Sequence, residues 1–374
     1  MIKSKFRFYI AAMGPGEIGQ GMAFARYAIS QGDRVFFSVP SREHLPLANI
    51  QSHNYTLEII KDSQELKSTI KKNKPQALIL CNSKIFTRHD NFMDSPPVPK
   101  IPSLSIDSNW LFSPSSPYVF IEWIDRYCLN LPKRVFLNGL KKYGGQYSIP
   151  EKNLKKIRVV GLVPSYKPLS KKEKETIRRK YKIADNEKLI FLYFSMSYMI
   201  KPEVVAKVYG AVKQLRDEGH KIKVVNFTNQ PLDIIDNKDK DWFMFLPLTN
   251  SDNFSKTLGS SDLIFQHQGL ATLEQAIGMN VPSIANVKDV NDEKHPKTHR
   301  HAWEVEPFAR CGVCSMFYFH DSSKRVKQEI FKLLYNDRAR GKMIKSQQAL
   351  QSSGEPLIYQ EAVKLIKNIK NKSV

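Results

Sequence analysis

Short apolar runs alternate with helix-length stretches along most of this chain, and that alternation restricts the fold more than any other feature. The first half opens with the strand-like FRFYIAAM (6–13) and the helical QGMAFARYAISQG (20–32), then runs through RVFFSV, TLEII, the Lys-rich helix SQELKSTIKKNK, QALILC and IPSLSID. A second series reads KLIFLYFS, KPEVVAKVYGAVKQLRDEG, KIKVVNFT, WFMFLPL, DLIFQHQG, a helix from Leu270, and VPSIAN. Strands interleaved with helices of this length predict parallel βαβ units, so the fold class is α/β with two doubly wound halves. Between the halves, LKKYGGQYSIPEKNLKK and VVGLVPSYKPLSKKEKE shift to Gly, Pro, Ser and Lys, as a domain boundary would. The expected domains are residues 1–150, residues 151–345 and a C-terminal helical segment, 346–374, that packs back on the first. A length of 374 residues suits two cores, and no repeat of fixed period points to a solenoid.

The charge is the second constraint: 58 Lys and Arg against 36 Asp and Glu give a formal +22, a field that attracts polyanions. Nucleic acid is disfavoured as the partner, because neither a recognised module nor aromatic and basic interleaving is present. Peripheral contact with an anionic membrane, or an acidic substrate, fits the charge better. Four scattered cysteines are too few for a disulfide framework and suit a reducing cytoplasm. Cys311 and Cys314 form a C-x-x-C without the second cysteine pair a structural zinc site needs, so no metal is expected. Lys3, Lys5 and Arg7 precede an apolar run, Phe8–Met13, that is too short for a signal peptide, and no run is long enough to span a membrane. The expected location is cytoplasmic, at most at the membrane face.

The stretch GPGEIGQG (14–21) follows the first strand. Gly14, Gly16 and Gly19 match the spacing of a dinucleotide-binding turn, where backbone N–H groups approach a pyrophosphate at a helix N-terminus. The remainder of that fingerprint is missing. The second strand ends at Ser38 and Val39, with no carboxylate to bind a ribose. Pro15 brings no N–H, and Glu17 places negative charge where a phosphate would sit. The stretch therefore reads as a loop with another purpose.

The segment Ser260–Cys314, SSDLIFQHQGLATLEQAIGMNVPSIANVKDVNDEKHPKTHRHAWEVEPFARCGVC, resembles the nucleotide-sugar-binding half of GT-B glycosyltransferases. Gly269, Thr272, Gly278 and Pro282 fall where that family places a turn glycine, a helix-opening Thr, and a glycine and a proline before the next strand. The resemblance covers nearly the whole chain. It implies the GT-B fold, two Rossmann-like domains facing a cleft with C-terminal helices, in a superfamily that includes UDP-glycosyltransferases and the lipid II-forming N-acetylglucosaminyltransferase. It implies a nucleotide-diphosphate sugar as co-substrate, a UDP-sugar by preference, with no cofactor and no metal. In donor binding, Gly269 and Thr272 meet the diphosphate, and Gln275 stands where the family keeps a ribose-binding Glu, with Glu274 one residue before it. Ser195 and Ser197 fall at the phosphate-contacting loop, and His301, close to His295, His299 and Arg300, at the sugar-contacting stretch. Retaining members carry two glutamates eight positions apart here; this chain has His267 and Gln275, which favours inversion.

An inverting transfer needs a base for the acceptor hydroxyl proton. The resemblance makes GPGEIGQG an acceptor-side loop, with Gly16 and Gly19 beneath the sugar, and puts Gln20 where related enzymes often carry a base His. Glutamine accepts no proton at neutral pH, so Asp107, Glu17 and His89 are the candidate catalytic residues. The acceptor expected is a glycan, a lipid-linked molecule or a small molecule. Two alternatives remain open: a UDP-sugar epimerase of the same fold, and a catalytically inactive nucleotide-sugar- or partner-binding protein.

Overall fold

The computed structural model describes residues 5–81, 98, 101–108, 122–143, 151–194, 201–228, 233–247, 251–267, 269–287 and 302–372. The chain divides into two compact units, Met1–Ser165 with Ser352–Val374, and Tyr166–Gln351. No helix among the described residues is long and apolar enough to cross a membrane.

The first unit is built on seven strands: β1 (Arg7–Ala12), β2 (Arg34–Val39), β3 (Tyr55–Ile59), β4 (Ala77–Cys81), β5 (Ser103–Asp107), β6 (Arg126–Leu129) and β7 (Ile157–Val159). Their order is β3-β2-β1-β4-β5-β6-β7, all parallel, so β1 and β4 are neighbours although β2 and β3 lie between them in sequence. β4, β5 and most of β1 are fully buried. A parallel sheet covered by helices on both faces demands such continuous apolar runs. Its helices include α1 (Pro15–Ser30), α2 (Ser63–Asn73) and α3 (Lys133–Tyr143). α2 starts at an Asp62 carboxylate that accepts the Glu65 N–H at 2.8 Å and stops at Lys74 in the left-handed conformation.

The second unit carries six parallel strands: β8 (Lys188–Tyr193), β9 (Ile222–Phe227), β10 (Phe243–Leu246), β11 (Leu263–His267), β12 (Ser283–Val287) and β13 (Ser315–Tyr318). The order is β10-β9-β8-β11-β12-β13. Its helices are α4 (Lys171–Lys180), α5 (Lys201–Asp217), α6 (Ser251–Gly259), α7 (Leu270–Met279), α8 (Ala302–Ala309), α9 (Ser323–Tyr335) and α10 (Asp337–Gln348). A reciprocal Ser170 and Glu173 capping box opens α4. α5 and α9 cover one face of this sheet with Val204, Val208, Val326 and Ile330, and α6 and α7 cover the other with Leu258, Ala276 and Met279.

The last helix, α11 (Glu355–Lys372), belongs to the core of the first unit through Ile358, Ala362, Leu365 and Ile366. Tyr359 donates to Asp33 at 2.7 Å, and Glu361 pairs with Arg126 at 3.0 Å. Each strand expected from the apolar runs is present. One local expectation needs correction. The first helix begins at Pro15 rather than Gln20, so GPGEIGQG is no loop: Gly14 is the N-cap, and Gly16, Glu17, Gly19 and Gln20 lie in the first two turns. Proline's fixed φ and missing N–H suit the first helical position, and Glu17 suits the positive end of the dipole. In the Lys- and Gly-rich stretch read as a boundary, α3 ends and β7 follows, and the first unit gives way to the second at Ser165 and Tyr166. The polar composition of that stretch reflects an edge strand, half-buried throughout.

Candidate functional site

In an open parallel sheet, ligands bind beyond the carboxyl ends of the strands where the strand order reverses, because neighbouring crossovers diverge there and leave a crevice. The reversal lies between β8 and β11 in the second unit, and between β1 and β4 in the first. Most of the described candidate residues gather at these two places.

At the second-unit reversal, β11 ends at His267 and α7 begins after Gly269. Gly269 is the N-cap, with no side-chain cap and no acidic residue in the first turn. The first N–H groups of an α-helix have no partner inside the helix, and the aligned peptide dipoles make that end positive. No residue in the first turn of α7 answers that charge, as Glu17 does in α1. A Cβ on Gly269 would lie 2.4 Å from His267 Nε2, so only glycine lets the imidazole stand this close to the helix start. The ring is flanked by Tyr193 at 6.0 Å and Phe194 at 6.5 Å, both from the end of β8. Thr272 is buried in the first turn. The next turn separates two neighbours: Glu274 is 2% exposed, whereas Gln275 is half-buried and accepts a hydrogen bond from Ser255 at 3.3 Å. Gly278, on the same helix, has the Tyr166 backbone 3.0 Å from where its Cβ would lie, which fixes α7 against the start of the unit.

At the first-unit reversal, Glu17 and Asp107 both act on Cys81. Cys81 ends β4 and is paired with Ala12 of β1 and Ile106 of β5. Its thiol is pushed well above its ordinary pKa, by burial first and then by the negative fields of Glu17 and Asp107. It is a neutral thiol and no nucleophile. Glu17 folds back on its own helix start: one of its carboxylate oxygens lies 2.5 Å from where a Gly14 Cβ would be. Asp107 is fully buried at the end of β5 and accepts a hydrogen bond from Ser105, two residues earlier on the same strand face. A Cβ at Gly16 or Gly19 would meet nothing within 4 Å, so neither is a glycine for packing reasons; Gly21 is, because Phe37 and Cys81 would lie 2.9 and 3.0 Å away.

The structure thus places His267, Gly269, Thr272 and Gln275 around one helix start, and Glu17 with Asp107 within electrostatic reach of one thiol. It turns Glu274 into the packing of α7. His89, Ser195, Ser197 and His301, with His295, His299 and Arg300, lie outside the described residues. Cys311 and Cys314 are buried and unbridged, and among the described residues no cluster of His, Cys, Asp or Glu is arranged to hold a metal. Ser105 and Gln266 escaped the sequence reading. For Ser105 a signal existed, since residues two apart on a strand share a face.

No protein-family model matches the chain, and no curated protein sequence matches it. Solved structures do. MnaA from S. aureus, in a co-structure with UDP, superposes with a TM-score of 0.66 at 13% identity over 97% of both chains. The UDP-GlcNAc 2-epimerase of Neisseria meningitidis, bound to UDP-GlcNAc, gives 0.62 at 14% identity over 96% of this chain and 100% of that one. The spinosyn forosaminyltransferase SpnP gives 0.64 at 12% identity over 97% and 100%. Two parallel Rossmann-like sheets of seven and six strands, matched along the whole length of sugar-nucleotide enzymes, identify the chain as a protein of the GT-B fold, shared by glycosyltransferases and UDP-GlcNAc 2-epimerases.

Proposed function

We propose that the chain is a glycosyltransferase that moves a sugar from a UDP-sugar to an acceptor hydroxyl with inversion. The observation that carries this reading is the uncapped start of α7 at the strand-order reversal, with His267 held against it by Gly269. Such a helix start stabilises a diphosphate twice, as ligand and as leaving group. His267 and Thr272 add hydrogen-bond donors to the phosphates, and Gln275 meets the ribose hydroxyls through its amide. The acceptor oxygen bonds to the anomeric carbon as the bond from that carbon to the β-phosphate oxygen breaks. Asp107 takes the hydroxyl proton, and UDP departs. Asp107 is preferred to Glu17, whose carboxylate is engaged at the start of its own helix. No metal enters this scheme, because the helix start and donor side chains answer the developing charge. The cationic surface favours an acidic or lipid-linked acceptor at an anionic membrane face.

A second reading has its own support. Two carboxylates, Glu17 and Asp107, both act electrostatically on Cys81, and a pair of acid–base groups is what removal and return of a proton at a sugar carbon requires. Two of the matching structures carry the name UDP-GlcNAc 2-epimerase. Incubation with UDP-GlcNAc, followed by NMR, separates the readings. A transferase releases UDP in proportion to added acceptor. Appearance of the C2-epimeric nucleotide sugar without any acceptor would establish the epimerase and refute the transferase.

A further inference from the structure

Gln266 is the penultimate residue of β11 and is fully buried, yet neither its amide nitrogen nor its amide oxygen has a hydrogen-bond partner in the protein. Register places it beside Tyr193 of β8 and Ala285 of β12, next to His267 and three residues before Gly269. Because side chains alternate along a strand, Gln266 shares its face with Ile264, the face covered by α6 and α7. Above that face, α6 and α7 are tied by the Ser255 to Gln275 bond, which at 3.3 Å is long for a hydroxyl donor. Phe254 of α6 meets Tyr193 edge-on at 4.9 Å, so aromatic rings flank the same face.

An unpaired buried amide costs stability, and an apolar side chain of the same length would avoid the cost. Asn226 has the same two unpaired amide atoms, but it sits on β9 and faces α5 rather than α7. Of the two, Gln266 lies at the strand-order reversal under the helix start already described. Its amide offers one donor and one acceptor side by side. A pyrimidine base presents the complement, an acceptor beside a donor, along its polar edge.

We propose that Gln266 is reserved for the bound nucleotide, pairing through both amide atoms with the polar edge of its base. The base enters between α6 and α7, replaces the weak Ser255 to Gln275 bond and lies against the rings of Tyr193 and Phe254. This proposal rests on the reading of α7 as the UDP-sugar site. It makes Gln266 a specificity-determining residue whose burial lowers the stability of the empty protein.

The test uses the full chain and Gln266→Met, an apolar side chain of similar length. The thermal midpoint is measured without ligand, and UDP and pyrophosphate are titrated calorimetrically. The expected variant melts ~2–4 °C higher than the parent. It binds UDP at least tenfold more weakly and binds pyrophosphate as the parent does. A lower midpoint, or UDP affinity within twofold of the parent, would overturn the proposal while leaving the nucleotide site intact. Failure of the parent itself to bind UDP would remove the site and the proposal together.

Discussion

His267 and Gly269 are mutually dependent: the imidazole Nε2 occupies the space that any Cβ at position 269 would need, 2.4 Å away. Gly269 has an ordinary φ of −64°, so alanine meets no backbone strain there. The clash is with the end of a side chain, which can swing aside. Gly269→Ala is therefore expected to fold with a nearly unchanged melting midpoint. It should bind UDP about tenfold more weakly, about 1.4 kcal/mol, because the displaced ring blocks or abandons the helix start. Unchanged UDP affinity would mean the close approach serves packing alone.

Asp107 is fully buried and held by Ser105, and it carries the proton transfer in the proposed reaction. Asp107→Asn keeps the shape and the hydrogen bonding to Ser105 but cannot accept a proton. Turnover should fall by about 10²-fold or more, with UDP affinity preserved. Glu17→Gln should leave turnover within a few-fold. A reversed ranking of the two variants in the same assay would transfer the base role to Glu17.

Three buried thiols, Cys81, Cys128 and Cys314, have their pKa raised above the ordinary 9.0, in each case chiefly by burial. The folded chain holds these protons longer than the unfolded chain does. Their contribution to stability is therefore intact below about pH 9 and declines above it, by about 1.4 kcal/mol per pH unit for each thiol. Melting under reducing conditions should show a midpoint that falls between pH 8 and pH 10. Cys128→Ala should show a shallower fall; an equal slope in parent and variant would assign the loss to other groups.

Asp33 is buried and accepts from the Phe6 N–H at 2.9 Å and from Tyr359 at 2.7 Å, linking β1, the turn before β2 and α11. Tyr359→Phe leaves one carboxylate oxygen without its donor, a loss of about 1–3 kcal/mol. Chemical denaturation followed by far-UV circular dichroism measures it. No loss of stability would show that solvent replaces the hydroxyl.

Most strands of both sheets, though not the short β6 and β13, were legible because parallel strands buried on both faces leave continuous apolar runs, such as ALILC in β4 and LIFQH in β11. The helix start at Gly269 was legible for the same kind of reason, a strand followed by glycine and a helical stretch. GPGEIGQG misled because four glycines outweighed two better signals of a helix start, Pro15 at the first helical position and Glu17 two residues later. β7 was hidden in Lys-rich sequence, since an edge strand of three residues needs little apolar surface. The isolation of Gln266 had no trace in the sequence at all. Unpaired amide atoms are a property of what packs around them, and LIFQH reads the same whether the glutamine is bonded or not.

Everything proposed for this chain depends on the start of α7 holding a nucleotide diphosphate. Calorimetric titration of the full chain with UDP, and separately with uridine, tests it most directly. Saturable binding of one UDP per chain is expected, with uridine weaker by at least tenfold for want of the diphosphate, and with loss of that difference in Gly269→Ala. Equal binding of UDP and uridine, or no binding of UDP, would contradict it.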